Sequence, residues 1–173
     1  MNNLPLYPAL LGVLVLGVAI IPGERALADA CATGGAPTPL SPAPLPSLGT
    51  GIANSLACGV GANASGSFST AVGTASIASG SASAAIGVNS AATGQLGSTA
   101  IGTNARSTGT GSTASGLNSQ ALGNNSTATG TGALSSVDQS TATGAFAEAS
   151  SVGSTATGVE ALASGELGTA TGS

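Results

Sequence analysis

Residues 114–130 read Ala-Ser-Gly-Leu-Asn-Ser-Gln-Ala-Leu-Gly-Asn-Asn-Ser-Thr-Ala-Thr-Gly. An Ala-x-Gly triplet opens the stretch, returns after seven residues and closes it after fourteen. The pattern extends in both directions. Its alanines are Ala57, Ala71, Ala85, Ala100, Ala114, Ala128, Ala142, Ala156 and Ala170, fourteen apart except for a fifteen between Ala85 and Ala100. Alanine in every copy implies a position that admits only a methyl group. A short fixed period around a constant small residue describes stacked coils rather than a globular enzyme domain.

The half-period carries a second signal. Gly66, Gly80, Gly94, Gly109, Gly123 and Gly165 lie midway between triplets, with Val137 and Ser151 standing where glycine is expected. Two places before each is a small residue: Ala64, Ala78, Ala92, Ser107, Ala121, Ser135, Ala149 or Ala163. Strand side chains alternate between faces. The spacing therefore predicts a two-strand coil whose inward columns meet through methyl groups, with a lumen much thinner than the ~10 Å between ordinary packed sheets. The glycines are expected to supply turns with positive φ, and Asn89, Asn104 and Asn118 suit the same left-handed geometry. Eight intervals at one strand spacing predict a rod of roughly 38 Å.

Residues beside the inward alanines must face outward. After the triplet alanine stand Cys58, Val72, Ile86, Ile101, Ser115, Thr129, Thr143, Thr157 and Thr171. An alanine-lined lumen buries little area, so a single stack is marginal. The Val72–Ile86–Ile101 stripe is therefore expected to be covered by other copies of the chain.

Composition limits the function classes. The chain has 173 residues, two basic and six acidic side chains, no histidine and a net charge of −4. With Arg106 the sole basic residue after position 28, nucleic acid is not an expected partner. Serines abound, but no histidine or lysine exists to activate one, and Asp138, Glu148, Glu160 and Glu166 are dispersed. The chain reads as a non-enzyme without cofactor or metal site. Gly59-x-Gly61-x-x-Ala64 and Gly109-x-Gly111-x-x-Ala114 resemble a dinucleotide fingerprint only as by-products of the period, with no βαβ context.

Ala9 to Ile21 is an apolar run closed by Pro22-Gly23, and Ala26-Leu27-Ala28 fits a small-x-small cleavage site. Residues 1–28 thus read as an export signal, although Met1-Asn2-Asn3 lacks the usual basic residue; an uncleaved anchor is the alternative. Residues 29–173 hold no membrane-inserting segment. Residues 29–50, with Pro37, Pro39, Pro42, Pro44 and Pro46, read as an extended linker, and residues 51–173 as the repeat region. No proline follows Pro46, as a long hydrogen-bonded β region requires. In an oxidising compartment Cys31 and Cys58 either pair in a disulfide or remain two free thiols.

Ala-Ile-Gly-Val-Asn-Ser-Ala-Ala-Thr-Gly (85–94), followed by Ser-Thr-Ala-Ile-Gly-Thr-Asn-Ala (98–105), resembles the head repeat of YadA-like trimeric autotransporter adhesins. The resemblance covers residues 51–173. It implies an all-β, left-handed parallel β-roll, three chains side by side, displayed at a Gram-negative outer membrane or secreted. It also implies attachment to extracellular matrix or another surface ligand. No coiled-coil stalk or barrel anchor follows Ser173, so a fragment or a head held by another component is expected.

From the fifth repeat onward Val and Ile give way to threonine. Thr127/Thr129, Thr141/Thr143, Thr155/Thr157 and Thr169/Thr171 form a Thr-x-Thr ladder on one face. This resembles the ice-binding face of β-solenoid antifreeze proteins. It is also what β-branched strand formers look like when they merely replace valine. A surface spacer without a receptor is the third reading.

Overall fold

The computed structural model describes residues 31–33, 50–51 and 54–172. The expected export signal lies outside them, as does most of the expected linker. Among the described residues no helix is long and apolar enough to cross a membrane.

Each coil contributes two short strands. Three-residue strands centred on the triplet alanines, from Leu56–Cys58 to Thr169–Thr171, stack in one sheet. Two-residue strands ending on the half-repeat small residue, from Asn63–Ala64 to Leu162–Ala163, stack in a second, with Thr50–Gly51 at its edge. Pairing is parallel and moves by one period: Ala114 lies beside Ala128, and Thr127 beside Thr141. The long interval leaves register intact, since Ala85 still pairs with Ala100. Its extra residue is absorbed in the turn at Gln95–Leu96. There Gly97 N–H donates to Ser81 O at 2.9 Å and Gly111 N–H to Leu96 O at 2.8 Å. The result is an all-β parallel solenoid of about 14-residue coils.

Strand Cys31–Thr33, from the segment read as a linker, also joins the first sheet. It pairs antiparallel with Leu56–Cys58, placing Cys31 opposite Cys58.

The inward columns are dry and small. Eight triplet alanines, Ala57 through Ala156, have no exposed surface, and Ala170 in the last coil is partly buried. The lumen differs from the alanine-only expectation, because serine lies within it two residues before most of the inward alanines. Ser83, Ser90, Ser98, Ser112, Ser119, Ser126, Ser140 and Ser154 are all buried. Burying an unpaired hydroxyl costs free energy, and for most of these serines the turns provide the acceptor. Ser90 Oγ donates to Gly87 O at 3.0 Å, Ser112 Oγ to Gly109 O at 2.7 Å and Ser126 Oγ to Gly123 O at 2.6 Å. Serine at the turn's end thus adds its hydroxyl to the carbonyl that its own N–H reaches only at 3.3–3.4 Å in Ser90 and Ser112. Where the half-repeat column is serine, a second bond crosses the coil. Ser107 Oγ lies 2.5 Å from Ser112 Oγ, and Ser135 Oγ 2.6 Å from Ser140 Oγ.

The two glycine columns do different jobs. The triplet glycines from Gly59 to Gly158 adopt positive φ, for example +131° at Gly87. The half-repeat glycines do not share that geometry, contrary to expectation: Gly66, Gly80, Gly94, Gly109 and Gly123 are absent from the positive-φ set. They are glycine because the next coil's backbone passes too close; a Cβ on Gly66 would overlap the carbonyl oxygen of Gly80.

Candidate functional site

A surface of repeated columns replaces a cleft. Outside the triplet sheet run two columns, the residues just before and just after each inward alanine. In the first half the second column holds Val72, half-buried, then Ile86 and Ile101, 40% and 42% exposed. The structure places these three side by side in register, Val72 beside Ile86 and Ile86 beside Ile101.

In the second half the second column also becomes threonine, beside a first column that already carries Thr70, Thr99 and Thr113. Thr127, Thr141, Thr155 and Thr169 form one, and Thr129, Thr143, Thr157 and Thr171 the other, each paired with its neighbour one coil away. The first three members of the former are half-buried, and all of the latter are exposed. None of these eight hydroxyls makes a hydrogen bond within the described residues. The opposite face behaves differently: there Thr108 Oγ1 donates to Leu122 O at 3.3 Å and Ser136 Oγ to Ala149 O at 3.4 Å. The Val72–Ile86–Ile101 stripe and the threonine ladder therefore occupy consecutive lengths of the same face.

The turns form the edges of the stack. Asn89, Asn104 and Asn118 take φ of +54°, +57° and +56°. Asn104 Nδ2 donates to Asn118 Oδ1 at 3.1 Å, so the column ties successive coils together. On the other edge Thr110 N–H donates to Asn124 Oδ1 at 3.0 Å and Asn124 N–H to Asp138 Oδ1 at 2.8 Å. Asp138 is thereby engaged in coil stacking, while Glu160 sits at a turn with φ of +55°.

Sequence reasoning missed two features of these edges. Phe68, Phe146 and Leu167 also take positive φ, a geometry that bulky side chains rarely adopt. Room for two of them comes from glycine one coil earlier. A Cβ on Gly132 would stand 2.7 Å from Phe146 Cδ1, and one on Gly153 2.6 Å from Leu167 Cδ2. Glycine one period before a bulky turn residue was the available signal. Second, Val60, Val88, Leu117 and Val159 follow the triplet glycines and are exposed, so apolar character continues from the stripe onto the adjoining turn.

Cys58 is disulfide-bonded, and the chain has one other cysteine, Cys31. Among the described residues no group of three or more His, Cys, Asp or Glu could hold a metal ion.

Two parallel sheets closed by paired left-handed turns, with a lumen one or two atoms deep per side chain, define a β-solenoid whose chemistry lies on its outer columns. The family model for the YadA head domain repeat matches residues 53–76, 78–105, 107–133, 121–147 and 136–161. These matches span more than half of the chain, and the chain belongs to this family, one of surface adhesins rather than enzymes. No curated protein matches the chain.

Proposed function

We propose that this chain is the ligand-presenting head of a trimeric autotransporter adhesin, exported by residues 1–28 and displayed at a Gram-negative cell surface. Its coils wind left-handed, and three copies stand side by side through the stripe Val72, Ile86 and Ile101. The observation that carries the reading is the exposed, in-register pair Ile86 and Ile101 on a family head-repeat coil. Isolated β-branched side chains on a soluble surface need no partner, but a contiguous column does. The remaining faces and turn edges are then free to attach to host or environmental surfaces, with no catalysis, nucleic acid or cofactor involved. Binding of the purified head to immobilised matrix proteins tests attachment. Substitutions in the Asn89–Asn104–Asn118 turns should weaken it if those edges present the ligand contacts.

The free hydroxyls of the threonine ladder support a second reading, ice binding. A two-column array of unpaired hydroxyls and methyls, with ranks ~4.8 Å apart on a narrow parallel sheet, offers water a regular template. The two readings compete for one face, since threonines buried between copies cannot meet ice. Thermal hysteresis in the soluble protein supports the second reading; its absence, together with ordinary ice crystal shapes, removes it.

A further inference from the structure

Asn-x-Ser/Thr, with x other than proline, is the acceptor pattern for attaching a sugar to an asparagine amide, and it calls for a surface turn. The pattern occurs at Asn63-Ala64-Ser65, Asn124-Asn125-Ser126 and Asn125-Ser126-Thr127. A chain this rich in serine and threonine produces such triplets by chance, so the surroundings of each copy decide.

Two of the three settings are unsuitable. Asn63 is half-buried in strand Asn63–Ala64, in register with Ile77. Asn124 is exposed, but both ends of its side chain are engaged by neighbouring coils. Its Oδ1 accepts Thr110 N–H at 3.0 Å, and its Nδ2 lies 3.2 Å from both carboxylate oxygens of Asp138. The hydroxyl that its triplet requires, Ser126 Oγ, is buried and donates to Gly123 O at 2.6 Å.

Asn125 differs on each count. It is exposed, at a turn position with φ of +52°. Its side-chain amide makes no hydrogen bond among the described residues. One coil back stands Gly111, where an added Cβ would lie 2.8 Å from Asn125 Oδ1. The amide therefore rests over bare backbone, with no side chain crowding it from that coil. The required hydroxyl belongs to Thr127, half-buried on the outer side of strand Thr127–Thr129 and without a partner among the described residues. Both groups that the pattern needs are free at this triplet alone.

We propose that Asn125 is a sugar-acceptor site, modified at Nδ2 by a donor whose sugar is esterified through C1 to a phosphate. The Nδ2–C1 bond forms and the bond from C1 to the phosphate oxygen breaks. The phosphate leaves with the electron pair, and one amide proton passes to a base of the transferase. Asn125 keeps its carbonyl and its second N–H. The sugar stands on the turn edge opposite Asn89, Asn104 and Asn118 and leaves that edge uncovered. The site does not depend on association between copies.

Mass spectrometry of the full chain purified from its native cells tests this. Cleavage after arginine and after acidic residues separates 107–138, which holds Asn124 and Asn125, from the fragment holding Asn63. The expected result is added sugar mass on 107–138, located at Asn125 by electron-transfer fragmentation. Thr127→Val, close in volume and still β-branched, should abolish the added mass, whereas Thr127→Ser should retain it. Asn124→Gln should leave it in place. Asn125→Gln should also abolish it, and the coil accepts glutamine there, since Gln139 holds φ of +59° at the same turn position. An unmodified 107–138 fragment, sugar on Asn63 or Asn124, or added mass that survives Thr127→Val would each overturn the proposal.

Discussion

A methyl group placed on Gly87 would stand 2.5 Å from the carbonyl oxygen of Gly102, one coil away. Gly87 also holds φ at +131°. Steric exclusion and backbone geometry act together at this corner, and the same pairing repeats along the triplet column.

Gly87→Ala should therefore lower stability by about 3 kcal/mol, combining overlap with the next coil and a backbone that L residues avoid. Gly97 provides the control. Its φ is +64° and nothing lies within 4 Å of an added Cβ, so Gly97→Ala should cost only about 1 kcal/mol. Denaturant midpoints of the two variants check the contrast; equal losses would contradict the close-approach account.

The lumen's two kinds of serine make opposite predictions. Ser112 Oγ donates to Gly109 O at 2.7 Å and meets Ser107 Oγ, so Ser112→Ala should cost about 1 kcal/mol. Ser69 Oγ is buried without a hydrogen-bond partner among the described residues. Ser69→Ala removes that uncompensated group and should leave stability unchanged or raise it by up to about 1 kcal/mol. Thermal or urea unfolding distinguishes the signs.

Inside and outside of one strand should tolerate volume differently. Ala142 has no exposed surface, whereas its neighbour Thr143 faces out. Ala142→Val forces two methyl groups into a filled lumen and should destabilise by about 2–3 kcal/mol. Thr143→Val, nearly the same volume, should change stability by less than about 0.5 kcal/mol in the isolated chain.

Much of this architecture is legible in the sequence because its governing constraint is local and repeated. A methyl-only position at a fixed period implies an inward column, so Ala57 through Ala156 could be placed without coordinates. Asn89, Asn104 and Asn118 were legible too, because asparagine tolerates left-handed geometry intrinsically. Phe68, Phe146 and Leu167 were not, since their turn conformation is imposed by coils on either side and contradicts their own preference. The lumen serines were not legible, since a hydroxyl ordinarily faces water and only the turn carbonyl a few residues back satisfies it inside. Half-repeat glycines were assigned a turn role because sequence does not separate a residue that needs positive φ from one that needs empty space. The antiparallel Cys31–Thr33 strand falls outside the period, so no repeat argument could find it. Of the candidate surface, composition and order along the columns could be read, but the lack of internal partners for the threonine hydroxyls required the structure.

The face bearing Ile86 and Ile101 carries the central claim, and sedimentation velocity of the oxidised head tests it most directly. The account predicts a species of three times the chain mass that falls to a folded monomer when Ile86 and Ile101 are both replaced by arginine. A wild-type protein that is well folded and monomeric across the concentration range would contradict it.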